Sequence, residues 1–148
     1  MSMINHPAFL QTVLRIDAAT CVATGLLMSV ASGPISVFTQ IPTGMLMSAG
    51  LSLLPIASFI AFVASRAPIW QLGVWLVIVG NIGWVLASLW LLTGGSTKFN
   101  AFGSAFLLIQ AAAVAVLACF ECIGLDRQPS ASAKPSVQPG DPQRSPGS

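Results

Sequence analysis

Residues 69–92 read IWQLGVWLVIVGNIGWVLASLWLL, twenty-four residues without a charge. A run of ~20 apolar residues is enough to cross a bilayer as a helix. Trp70 and Trp90 stand twenty residues apart, which at ~1.5 Å per residue spans ~30 Å, the hydrocarbon thickness. Tryptophan favours both membrane interfaces, so the pair brackets one span. Asn81 falls midway between them and puts a polar group at the bilayer centre.

The rest of the chain has the same character. Charged residues make up 7% of the 148 and hydrophobic residues 55%, whereas soluble domains carry ~25% charged residues. Such an inventory cannot build a water-facing surface. The net charge of +2 comes from scattered basic residues, which argues against a nucleic-acid partner. The lipid bilayer is the first partner, and association with a second copy or another membrane protein is the other kind of partner expected.

Three further spans are predicted, over residues 7–32, 44–65 and 101–125. Asn5 can cap the first and Pro7 suits its first turn. Arg15 is followed closely by Asp17, which breaks the pattern of a signal peptide, so this helix is read as uncleaved. Gly33-Pro34 is expected to end it. Residues 33–43, GPISVFTQIPT, read as a partly embedded loop or a short interfacial segment. Pro55 is expected to kink the second span. The short link at 66–68 makes the second and third spans antiparallel neighbours. From residue 126 the chain turns to Pro, Ser, Gln and Gly, a composition that predicts a disordered tail. The fold expected is an all-α membrane protein, a four-helix antiparallel bundle over residues 1–125 with a tail over 126–148.

Orientation follows from the basic residues. With both termini cytoplasmic, Arg15, Arg66, Arg127, Lys134 and Arg144 lie inside and Lys98 outside, as the positive-inside rule favours. Packing is expected from small residues four apart. These are Cys21, Gly25, Ser29 and Gly33; Gly44, Ser48 and Ser52; Gly83 and Ala87, with Gly73 and Gly80 nearby; and Ala111, Ala115 and Cys119.

Two sets of polar residues stand out. Asn81, Trp84 and Ser88 share a helix face, which reads either as the wall of a binding cleft or as an interhelical hydrogen bond that fixes the bundle. Gln110, in the outer half of the fourth span, is open to the same two readings. If Asn81 is structural, its partners are expected among Gln110, Ser52 and Ser58, and Asn81→Leu should change stability by only ~1 kcal/mol. Arg15, Asp17 and Glu121 form the second set. Arg15 with Glu121 is the expected ion pair, near the helix ends, against a proton or ion relay as the functional reading. Cys119 and Cys122 fit C-x-x-C but fall on the cytoplasmic side, where packing is the simpler role. The chain has one histidine, His6, and no clustered nitrogen or thiolate ligands, so neither a cofactor nor a metal is expected. Nor is there a phosphate loop or a nucleophile elbow.

With these residues in view, the chain resembles small bacterial four-helix membrane proteins of a family of unknown function. The likeness rests on Arg15-Ile-Asp17-Ala18 with Gly25, on Gly50-Leu-Ser-Leu-Leu-Pro55, on Asn81-x-x-Trp84-Val-x-x-Ser88, and on Gln110 with Gly124-Leu125. It implies an inner-membrane location and supplies no activity. The function expected is non-enzymatic, through a partner or a bound lipophilic molecule. A small proton- or ion-coupled transporter working as an oligomer is the alternative, and a thiol oxidoreductase using Cys119 and Cys122 a distant one.

Overall fold

A computed structural model describes residues 7–94 and 99–127. Five helices follow one another: α1 (Pro7–Val30), α2 (Ser32–Thr39), α3 (Thr43–Ala64), α4 (Gln71–Gly94) and α5 (Ala101–Asp126). Four of them are long and apolar enough to cross a membrane, and no strand is present among the described residues. The molecule is an all-α membrane bundle. Its outer surface agrees with a lipid surround: Val30, Val37, Phe102, Ile109 and Trp90 are all largely exposed. Asp126, the first residue of the expected tail, still belongs to α5; the tail after Arg127 and the Asn5 cap lie outside the described residues.

The connection after α1 is a helix. Residues 32–39 form α2 because Pro34 sits in its first turn, where a missing N–H is no loss. Gln40 stops α2 by taking a left-handed conformation (φ 57°, ψ 19°) with its N–H bonded to Ser36 O. Asn100 then fastens α2 to the start of α5. Its Nδ2 donates to Phe38 O at 2.7 Å, and its Oδ1 accepts from Gly103 N at 2.8 Å as the N-cap of α5.

Helices α1 and α3 cross closest at Gly25 and Gly50. A methyl group added at Gly50 would lie 2.7 Å from Gly25 O, so only glycine allows this approach, the small-residue packing that membranes favour. The α1 ridge takes part here through Cys21, Gly25 and Ser29, and Ala111 is buried in α5, while other parts of the expected ridges are corrected. Ser48 and Ser52 are exposed and bond their own helix, while Leu46, Gly50, Leu53 and Ala57 form the buried face of α3. Gly83 and Ala87 are exposed, and the space beside Gly83 is open. Cys119, at the end of the α5 ridge, is also exposed.

Around the bundle, α1 lies between α3 and α5, and α4 packs on α5. Helices α3 and α4 touch near their connecting link, where Trp70 meets Phe59 edge-on with ring centroids 6.3 Å apart. Gly73 lies against Val63 and Trp70 at the same end. Farther along they part around a cleft. Pro55 belongs to an unbroken helix and lines that cleft.

Candidate functional site: a buried carboxyl–amide cluster beside a cleft

Asp17 and Asn81 each stand ten residues beyond the first residue of their helix, ~15 Å along it. Both helices begin at the same end of the bundle, because Gln11 Nε2 reaches Arg66 O in the α3–α4 link at 3.2 Å. The two side chains therefore share a depth. Glu121, five residues before the end of α5, completes the level.

Asn81 joins the other two. Its Nδ2 donates to Asp17 Oδ2 at 3.1 Å and to Glu121 Oε2 at 3.1 Å, which uses both amide hydrogens. The Asp17 and Glu121 carboxyl groups are thus both held on the one Asn81 amide nitrogen. Cys21, one turn beyond Asp17, places Sγ 3.8 Å from Asp17 Oδ1. Asp17 and Glu121 are 0% exposed and Asn81 is 6% exposed, so the two carboxyls are fully enclosed and only Asn81 keeps a small opening, toward the cleft. Glu121 Oε1 has no hydrogen-bond partner, and the Asn81 amide oxygen receives no hydrogen bond among the described residues.

Two expectations are corrected here. Glu121 does not pair with Arg15, which is exposed while Glu121 is fully buried. The carboxyl groups sit inside the bundle instead of at its ends, and they meet an amide. Nor does Asn81 bond Gln110, Ser52 or Ser58. The two serines donate to Ser48 O and Leu54 O in their own helix, and Gln110 Nε2 contacts Met28 Sδ at 3.4 Å. Sequence reasoning did not associate Cys21 with Asn81; the equal depth of Asp17 and Asn81 was the readable signal.

Two cavities adjoin the cluster and a third lies beyond them; Trp84 lines all three. The largest is the cleft between α3 and α4, about 340 Å³, walled by apolar residues such as Pro55, Phe59 and Leu76, with Asn81 and Cys21 at its inner side. A second, about 50 Å³, lies toward α1 and α5 and is lined by Asp17, Thr20, Thr24 and Gln110. It shares Cys21, Leu53, Trp84 and Val114 with the cleft, so the two are neighbours. The third, about 150 Å³, holds Ser88 and Gln110; the Ser88 hydroxyl donates to Trp84 O at 2.9 Å. The Asn81–Trp84–Ser88 face thus looks inward along this series of spaces.

Below this region the packing closes. Leu10, Leu14, Val63 and Val74 are fully buried toward the end where α1 and α4 begin. Cys119 and Cys122 lie elsewhere, in an outward groove between α4 and α5. Both are free thiols, Cys119 exposed and Cys122 half-buried. Among the described residues no group of His, Cys, Asp and Glu is placed to hold a metal ion.

Fold and site together define a helical membrane bundle of four spans with an acidic, amide-bridged centre beside an apolar cleft. Comparison with protein families, with curated proteins and with solved structures gave no match.

Proposed function

We propose that this is a non-enzymatic bacterial inner-membrane protein, N-in and C-in, that binds a lipophilic molecule entering from the bilayer between α3 and α4. The observation that carries this reading is the cleft itself: almost wholly apolar, with one polar inner wall at Asn81. Binding sites for small molecules have this make-up, an apolar lining with a few placed polar groups. The inner-membrane setting rests on the family resemblance, and the orientation on the basic residues at the ends of the spans.

The test is collisional quenching by lipid. Of the four tryptophans, Trp70, Trp75 and Trp90 are replaced by Phe, leaving Trp84. The protein is then placed in bilayers of phosphatidylcholine brominated along the acyl chains. Trp84 fluorescence should be quenched, and the quenching should fall when Gly80→Leu fills the cleft. Gly80 lines the cleft and has open space where a side chain would stand. An unquenched Trp84 would refute entry from the bilayer.

A proton-coupled carrier acting as an oligomer is the second reading. Its support is the convergence of two buried carboxyl groups on one amide. Two such carboxyls can hold a proton between them, the arrangement that proton relays use within membranes.

A further inference from the structure

Building on the bilayer-facing cleft proposed above, we propose that its occupant is a small amphiphilic amine, whose ammonium head docks beside Asp17 and Asn81 while its apolar body fills the cleft. The warrant is a mismatch of donors and acceptors. The cluster presents five oxygens: two on Asp17, two on Glu121 and one on Asn81. Against these it has the two Asn81 amide hydrogens, the Cys21 thiol and at most the proton that the two carboxyls share. Glu121 Oε1 is unpartnered in a fully buried side chain. The Asn81 amide nitrogen is committed to the carboxyls, which leaves its oxygen as the acceptor on the cleft's inner wall. No Arg or Lys lines either cavity. A cluster this rich in acceptors, removed from water, is completed by donors and positive charge.

The adjoining chamber suits an ammonium group. Its volume of about 50 Å³ exceeds the ~30 Å³ share of a water molecule, close to the size of an ammonium group. Its polar lining adds acceptors to Asp17. Thr20 Oγ1 already donates to Ile16 O and Gln110 Nε2 to Met28 Sδ, bonds that leave the acceptor lone pairs of both side chains unused. Trp84 walls both spaces, so an aromatic ring, a favourable neighbour for a cation, stands beside the chamber. The titratable groups facing the head are Asp17 and Cys21 from α1, and behind them Glu121 from α5; α3 and α4 contain no ionisable side chain. Protons and the ammonium group therefore compete for the same oxygens.

The probes are 4-phenylbutylammonium and its neutral counterpart 4-phenylbutanol, titrated calorimetrically into the full chain in an uncharged maltoside detergent. The wild-type protein should bind the ammonium compound about tenfold or more tightly than the alcohol. Asp17→Asn should bring the two within about twofold of each other, since it keeps the shape and removes the charge. Glu121→Gln should act in the same direction and serves if Asp17→Asn does not fold. The wild-type comparison stands without either variant. Equal binding of the two compounds, or tighter binding of the alcohol, would overturn the cationic head while leaving the cleft reading intact. Binding of neither compound would also overturn it, and Trp84 quenching by brominated lipid then shows whether the cleft reading survives. Tenfold selectivity that persists in both carboxyl variants would place the cation elsewhere and refute the site.

Discussion

Replacing Asn81 by leucine is the perturbation that the cluster resists most. The substitution conserves volume roughly, so packing contributes little. It removes two hydrogen bonds, each 3.1 Å long and each accepted by a buried carboxyl. Hydrogen bonds to charged acceptors contribute about 1.5–3 kcal/mol each, whereas interhelical bonds in membranes average about 0.6 kcal/mol. The lower half of that joint range centres on about 1.2 kcal/mol per bond. Added to it is the penalty of leaving two facing carboxyls without their common donor, at least ~1 kcal/mol. The sum is about 3 kcal/mol, well above the ~1 kcal/mol expected when Asn81 is taken to bond a neutral side chain. The assay is reversible unfolding in mixed micelles, followed by circular dichroism, for wild type, Asn81→Leu and the triple variant Asp17→Leu, Asn81→Leu, Glu121→Leu. The triple variant should recover much of the loss, because removing every polar partner leaves nothing unsatisfied. A loss under ~1 kcal/mol for Asn81→Leu alone, with no recovery in the triple variant, would refute the reasoning.

Gly50→Ala should lower stability by about 1–3 kcal/mol, since its methyl group would press on Gly25 O and Ser29 Oγ and drive α1 from α3. Gly80→Ala, which meets open space, should cost no more than a few tenths of that in the same unfolding assay. Gln40→Gly should raise the unfolding midpoint slightly, by up to ~1 kcal/mol, and Gln40→Val should lower it, because only glycine takes a positive φ without strain. Asn100→Ala removes both the α5 cap and the tie to α2, and should cost about 1–2 kcal/mol. The affinity for 4-phenylbutylammonium should fall as pH is lowered, since protons occupy the carboxyl oxygens the head group needs; calorimetry across a pH series reads this directly.

The four spans were legible because each is a long apolar run with at most two charges, and length separates a membrane helix from a buried one. Which face of a span points inward was not legible. In lipid both faces are apolar, so periodicity carries no sign, and small residues occur on either side. Gly25 and Gly50 make the crossing, whereas Gly83 and Ala87 face outward. The helix α2 was hidden by two prolines that read as loop, although Pro34 sits where a helix tolerates it. Asp17, Asn81 and Gln110 were visible as polar exceptions. Their grouping was not, because pairing Glu121 with Arg15 follows charge, whereas the fold groups side chains by depth and face. Counting from the helix starts places Asp17 level with Asn81; the third member depends on how far α5 extends, which composition does not define.

The convergence of Asp17 and Glu121 on Asn81 is the centre of this account, and cysteine cross-linking tests it most directly. In a background with Cys21, Cys119 and Cys122 replaced by alanine, the pairs Asp17→Cys/Glu121→Cys and Arg15→Cys/Glu121→Cys are treated in membranes with dibromobimane, a short membrane-permeant thiol bridge. The account predicts a fluorescent intramolecular adduct for the first pair and none for the second. An adduct for the Arg15 pair without one for the Asp17 pair would contradict it.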